Sequence, residues 1–502
     1  MSAAEPRDVT RDASSTTRIP TQDAPGLGRN TGGVRLHRVP NPRWRAVPCA
    51  SLRAHPRYVA LPPVERVLCG ASTTPVVDDA ALPFVRQHTD QWINARAGRV
   101  TTSTFALALG FWSDDFAVSH LRLPPRGRAS RNAVLAAARD AVSVAHERAR
   151  EVLPRETNAN AVTRTRCLEA VEAYNAELAA ASGDDLKLAA LDAGGWAVTR
   201  ERAVVAAAGG ARDVACALGK EQEAAALLAV LGAFPNSYLV ETGAVALSGD
   251  GGAAGANLNL AASPDGVLVF PALGHSEDAT ETTLARAVEA GSSECFAKPT
   301  RSKSKPSKST SKRGAPPRLA VPVAASHFGN VFPDDETRVA VAVEVKVASP
   351  FVWSTSGLKS YNNQAQYKVD AASDGAKDHV APIHVPQAQL EAAALRVAGT
   401  VMVSYSPVSG GANAGASLRM RYVPRDDAYV KCALEVLRAN AIAEDIVGSA
   451  LTHVGSSGEE TRSRFLRLVR KTKRLASSAA LVADLAPIPI PDGADDVPFL
   501  RY

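Results

Sequence analysis

The chain has 502 residues, 46% of them hydrophobic and 22% charged, a balance that provides for a large buried core and excludes a chain disordered throughout. Its 57 Lys and Arg against 51 Asp and Glu give a net charge of +6, which suits a polyanionic partner without requiring one. There is no run of about 18 apolar residues, the N-terminus mixes Glu5, Asp8 and Asp12 with arginines, and Cys49, Cys69, Cys167, Cys216, Cys295 and Cys432 form no C-x-x-C pair. Neither a membrane span nor a secretion signal is expected, neither a zinc ribbon nor a dense disulfide framework is indicated, and an intracellular protein is expected, with nucleus or viral or host cytoplasm left open.

Residues 1–80 are rich in Arg, Pro, Ser and Thr and lack a sustained period, so they are expected to be disordered. The folded core is expected over 81–424. It begins near Leu82, where Phe84, Val85, Trp92 and Ile93 show helix-like spacing that Gly98 would end. Helical periods follow at Asn132–Leu153, Ala161–Ala181 and Arg212–Leu231. From Ser237 the texture changes to strands, at Tyr238–Glu241, Asn257–Leu260, Gly266–Phe270 and Arg338–Val347, separated by Gly and Pro turns. Residues from about 275 to 335, including the Ser/Pro/Lys-rich stretch Lys298–Arg318, read as a flexible basic insertion.

Pro386–Val397 returns to helix, Thr400–Tyr405 and Ser417–Tyr422 to strand, and Ala428–Ile446 to helix. Residues 425–482 are expected to be a helical region. Its basic helix carries Arg462, Arg464, Arg467, Arg470, Lys471, Lys473 and Arg474 beside a packing face of Phe465, Leu466, Leu468 and Val469. Such a helix is either a track for a phosphate backbone or a solvated face. Residues 483–502 read as a tail. This order of elements predicts an α/β (α+β) fold with a central mixed sheet flanked by helices.

In Arg338–Val347 side chains alternate, so the valines share one face while Ala340, Ala342, Glu344 and Lys346 share the other. Glu344 is a hard oxygen ligand for a divalent metal and Lys346 a cation able to orient an attacking water. Two alanines beside them leave room for something to approach. An isolated E-x-K is more often the pattern of a salt-paired surface strand. Upstream, Ser263-Pro264-Asp265-Gly266 is a turn feeding a strand, which puts Asp265 at the strand mouth, or makes a plain hairpin turn.

S-P-D-G followed by E-V-K resembles the core of the PD-(D/E)XK nuclease superfamily, and more narrowly the phage lambda exonuclease and YqaJ-type viral recombinase family. Trp92-x3-Arg96-x2-Arg99-Val-Thr101-Thr-Ser103, Gly219-Lys-Glu-Gln-Glu223 and Gln387-Ala-Gln389 resemble further motifs of that family, in the same order. The resemblance implies a restriction-endonuclease-like core and a Mg²⁺- or Mn²⁺-dependent DNA nuclease. Asp265, Glu344, Glu223 and Val345 would form its metal set, and Lys346 and Gln387 would complete the catalytic group. The helical period does not choose between Glu221 and Glu223; the resemblance favours Glu223.

Arg96, Thr101 and Ser103, with Arg99, match a 5′-phosphate site, which a guanidinium and hydroxyls suit chemically. Thr101 and Ser103 could equally do no more than start a helix, and Trp92 reads as a core anchor. His384 stands where relatives carry tyrosine. The activity implied is a 5′→3′ exonuclease on linear duplex DNA for recombination, repair or viral DNA processing. A structure-selective endonuclease and a non-cleaving DNA-binding recombination or virion protein are the alternatives. Six scattered cysteines speak against an iron–sulfur cluster, and no G-x4-G-K-[ST] nucleotide loop is present. DNA is the partner implied; a single-strand annealing protein and further copies of the chain are left open.

Overall fold

The computed structural model describes residues 43–62, 82–96, 98–125, 130–138, 159–191, 211–247, 260–270, 278–296, 339–348, 351–354, 366–369, 375–407, 415–447, 456–488 and 495–498. The chain divides into two compact units. One is residues 1–40 with 353–368; the other is residues 41–352 with 369–502. Of the first, residues 353–354 and 366–368 are described, and they are strand residues. All that follows concerns the second unit.

Its centre is a mixed sheet of seven strands: β1 (Tyr58–Val59), β2 (Tyr238–Val240), β3 (Gly266–Phe270), β4 (Val339–Val347), β5 (Gly399–Ser406), β6 (Ala416–Pro424) and β7 (Ala480–Ile488). They lie side by side in chain order. β1 pairs with β2 and β4 with β5 in parallel, and every other neighbouring pair is antiparallel. The helices that bear on the site are α1 (Asp90–Arg96), α2 (Thr102–Ala108), α3 (Ala211–Ala233), α4 (Ala279–Phe296), α5 (Val385–Leu395), α6 (Asp427–Val447) and α7 (Ser456–Ser478).

The sheet is covered on both faces, which explains why its middle strands are apolar along their length. Val341, Val343 and Val345 of β4 join Leu268, Phe270, Val401 and Val403 in a cluster with Leu227, Val230 and Leu231 of α3 and Leu284 of α4. On the opposite face Ala340 and Ala342 pack with Val267, Val269 and, from α5, Ala392 and Leu395. The room that the two alanines leave is therefore filled by α5. Small side chains here let a helix lie close on the sheet, a correction to the reading that they hold space open for a ligand.

Three domain expectations are revised. Within 1–80, residues 43–62 are folded: Leu52, Val59, Ala60 and Leu61 are buried, and β1 completes the edge of the sheet. Short apolar pieces between prolines carry no sustained period, so their burial depends on the partner strand. Within 275–335, α4 is a regular helix whose Leu284 is fully buried, while 297–338, with the Lys298–Arg318 stretch, lies outside the described residues. Within 425–502, Ala480–Ile488 is the outer strand β7, paired along β6, and 495–498 pairs with Arg43–Ala46. The basic helix α7 docks on the body through Leu468, Val469 and the Thr472 hydroxyl, which meets Tyr429 Oη at 2.8 Å. Arg462 and Lys471 pair with Asp114 and Asp426. Of Asn132–Leu153, residues 132–138 are helical and the rest lie outside the described residues.

A buried charge group ties the first segments to β2. Glu241 accepts from the Leu61 amide at 2.6 Å and pairs with Arg86 at 3.2 Å and Arg53 at 4.0 Å, all three side chains being at most 6% exposed. Gly243 permits the same docking: its N–H donates to Pro83 O, and a Cβ there would lie 2.3 Å from Val85 O. Removing one partner of such a group leaves charge buried without compensation. Glu241→Gln is expected to lower the unfolding free energy by about 3–5 kcal/mol, read from urea denaturation. An unshifted midpoint would show that the group contributes nothing to stability.

Candidate active site

β3 and β4 pair antiparallel with Gly266 opposite Val343. This register brings the Ser263–Gly266 turn against the end of β4 that carries Glu344 and Lys346. The Asp265 amide donates to Val343 O at 3.0 Å, and the Val345 amide donates back to Asp265 Oδ2 at 2.6 Å, across 80 positions of sequence. Lys346 Nζ donates to Glu344 Oε1. Glu344 is nearly fully buried and Lys346 about one third exposed. Asp265, Glu344 and Lys346 thus meet at one place. Val345 contributes its amide to Asp265 and its side chain to the core.

Glu223 reaches this place from α3. Burial, then the charges of Asp265 and Glu344, hold its carboxyl well above the ordinary range. Its Oε2 lies 3.9 Å from His88 Nε2, and burial, with Lys220 and Arg96 nearby, pushes that imidazole down to about 4, so it is neutral at pH 7. Glu221 is also buried, in the same helix. For Asp265, burial and the Glu344 charge outweigh Lys346 and the Val345 N–H and push the carboxyl up to about 8. Burial opposes the charge on Lys346, but Glu344 and Asp265 beside it hold its ammonium above the usual lysine value.

Sequence reasoning missed Glu391. It is fully buried on α5, accepts from Gln387 Nε2 at 2.9 Å, and is held well above the ordinary carboxyl range by burial and by Glu344. Gln387 therefore serves the group through Glu391. An acid standing in the apolar stretch Leu390–Leu395, one turn after a glutamine, was the available signal. The helix also carries Gln389, whose amide group donates to Pro424 O and accepts from the Asp426 N–H, anchoring α5 to the end of β6. His384 lies close by; burial and the Lys346 charge push it down to about 3, which makes it a neutral wall.

The turn bearing Asp265 is held from the other side by α1 and the segment before it. Gln87 Nε2 donates to Pro264 O at 2.6 Å and Trp92 Nε1 to Ser263 Oγ at 3.1 Å. Trp92 is the buried anchor expected, and the Arg96 guanidinium stacks on its ring at 3.9 Å. Arg96 Nη2 donates to Thr101 Oγ1 and Ser103 Oγ, each at 3.1 Å, while its buried Nε has no hydrogen-bond partner. Burial lowers this guanidinium to about 10. Arg96 forms no ion pair among the described residues. Thr101 is also the N-cap of α2, so its helix-starting role and its contact with Arg96 coexist. Arg99 Nε donates to Ala95 O at 3.0 Å.

Among the described residues no group of three or more His, Cys, Asp and Glu side chains stands in metal-ligand geometry. The donor set nonetheless suits a hard divalent cation. The carboxyls of Asp265, Glu223 and Glu391 are raised by burial and by one another's neighbourhood, Lys346 is the cation among them, and the buried Glu344 Oε2 and Glu391 Oε2 have no hydrogen-bond partner.

The raised carboxyls set a pH dependence. A folded-state value near 8 for Asp265 means the folded chain keeps a proton that the unfolded chain releases near pH 4. Stability from this group is therefore full below about pH 4 and is lost as pH rises toward 8. Asp265→Asn in EDTA is expected to gain stability relative to the parent over that window, in urea midpoints measured at intervals of pH. A constant difference would show that Asp265 titrates normally.

No protein-family model, no characterised protein and no solved structure matches this chain, so the residues of this cleft are the ground for assigning its function.

Proposed function

We propose that the chain is a divalent-metal-dependent deoxyribonuclease of restriction-endonuclease-like type, acting as a 5′→3′ exonuclease on linear duplex DNA. The observation that carries this reading is the meeting of Asp265 with Glu344 and Lys346 through the Val345 amide bond to Asp265. Two motifs far apart in the chain resemble the two halves of the PD-(D/E)XK signature, and adjacent strands bring them to one point. A chance strand carrying E-x-K has no reason to have the second motif as its neighbour.

Asp265, Glu344 and Glu223 are the residues that would hold Mg²⁺ or Mn²⁺. The metal, when bound, supplies Lewis-acid stabilisation of charge on the phosphoryl oxygens. The chain's own groups do the rest. Lys346, kept cationic by its acidic neighbours, presents positive charge to the attacking water and the phosphate. Water adds to phosphorus, the bond from phosphorus to the 3′ oxygen breaks, and that oxygen leaves with a proton. Gln387 and Glu391 hold the α5 side of the group in place. Arg96, stacked on Trp92 and without a carboxylate partner among the described residues, takes the terminal 5′-phosphate with Thr101 and Ser103.

One observation favours a non-cleaving DNA-binding protein as the second reading: Lys346 is already in direct contact with Glu344, so a proposed metal ligand is occupied by an ion pair.

The test is digestion of linear duplex DNA, with and without 5′-phosphates, beside closed circular DNA in Mg²⁺ and Mn²⁺. Linear DNA alone should be degraded. Lys346→Ala should slow the reaction by about 10²–10³-fold, and Asp265→Asn should abolish it. Arg96→Ala should erase the preference for phosphorylated ends, on the order of tenfold. Cutting of circles would select an endonuclease, and binding without cleavage in either metal would select the second reading.

A further inference from the structure

A cavity of about 360 Å³ opens beside Lys346, under the ends of β4, β5 and β6 and the 375–384 segment. That volume lies within the range of small-molecule sites, about 300–1,000 Å³. Its walls carry Lys346, Lys377, Arg419 and Arg421, with Val380 and Met402 as apolar surface. Strand register explains the arrangement. Met402 stands opposite Glu344 and Ser404 opposite Lys346 across the parallel pair; Arg421 stands opposite Met402 and Arg419 opposite Ser404 on the next strand. Directly opposed residues share a sheet face, so one row of side chains runs from the catalytic group to the two arginines, two strands or roughly 10 Å away.

The cavity is built rather than incidental. Its wall, residues 375–380, is pinned to the sheet: Ser404 Oγ accepts from the Lys377 amide at 2.7 Å, Ser417 Oγ accepts from the Ala376 amide at 2.9 Å, and Arg419 Nη1 donates to Ala376 O at 3.2 Å. Its charges do not cancel. Lys346 pairs with Glu344 and Arg419 with Asp484. Arg421 Nη1 donates to Ala479 O at 2.9 Å, and among the described residues Arg421 makes no ion pair and its buried Nε has no hydrogen-bond partner. Lys377 is exposed and, among the described residues, makes no ion pair. Two cations without carboxylate partners among the described residues, beside aliphatic walls, form a site for an anion that also carries a flat apolar part.

We propose that this cavity seats one nucleotide of a nucleic-acid strand, its phosphate on Arg421 and Lys377 and its base or sugar against Val380 and Met402. The proposal rests on the nuclease reading of the neighbouring group, for which the occupant is the nucleotide on the side of the scissile phosphate away from Arg96.

Binding in EDTA tests it without any need for cleavage. The full chain is titrated with a fluorescein-labelled single-stranded oligonucleotide, and dTMP, thymidine and inorganic phosphate are added as competitors. Arg421→Gln should weaken binding by roughly tenfold or more, and Lys377→Gln, at an exposed position, by several-fold. Lys187→Gln, an exposed lysine paired with Asp184, should change nothing. dTMP should compete and thymidine should not. Unaltered binding in both cavity variants, or no binding by the parent, overturns the proposal. Displacement by inorganic phosphate as effective as by dTMP would reduce the site to an anion pocket and overturn the nucleotide assignment. Digestion of DNA by a parent whose binding ignores both substitutions removes the cavity and leaves the nuclease. Binding that falls in both variants, without digestion in Mg²⁺ or Mn²⁺, keeps the cavity and removes catalysis.

Discussion

Everything at the candidate site depends on the pairing of β3 with β4. The ladder from Gly266–Val343 to Phe270–Val339 joins segments whose site residues lie 80 positions apart, and the Val345 amide reaching Asp265 Oδ2 closes its end. Loop-closure entropy grows by only about 0.6 kcal/mol per doubling of length. Burying Leu268, Phe270, Val341 and Val343 is worth about 1.5–3 kcal/mol per side chain, and each is at most 1% exposed. The apolar term wins, so a long intervening segment is compatible with a tight active-site hairpin.

The same burial that stabilises the ladder creates the electrostatic tension beside it. Asp265, Glu223 and Glu391 are driven toward their neutral forms by desolvation and by mutual repulsion, while Lys346 is driven toward its charged form. A site made only for stability would pair these groups off or replace them with apolar side chains. An excess of buried carboxyl around one lysine, with shifted titration, is a pattern that marks a candidate functional site.

Two approaches lead to that place. On one side Gln87 and Trp92 hold the Ser263–Asp265 turn, and Trp92 carries Arg96 on its ring. On the other the sheet extends the row of side chains through Met402 and Ser404 to Arg421 and Arg419. Positive charge thus flanks the carboxyls on both sides.

How much of this was legible in the chain divides along a physical line. Periodicity is local, so the strands Gly266–Phe270 and Val339–Val347, the helices at 211–233 and 427–447, and the opposition of Glu344 and Lys346 to the valines follow from the order of residues alone. Asp265, Glu344, Lys346 and Arg96 were singled out because their short motifs resemble those of a known family; periodicity gave only the face that Glu344 and Lys346 share. Non-local contacts were not legible. That α5 fills the space beside Ala340 and Ala342, that Glu391 joins the carboxyl group, and that residues 43–46, 58–59, 480–488 and 495–498 pair into sheets are all set by partners distant in sequence. A strand's ladder partner and a carboxyl's burial are properties of the packed chain, and only the tertiary structure decides them.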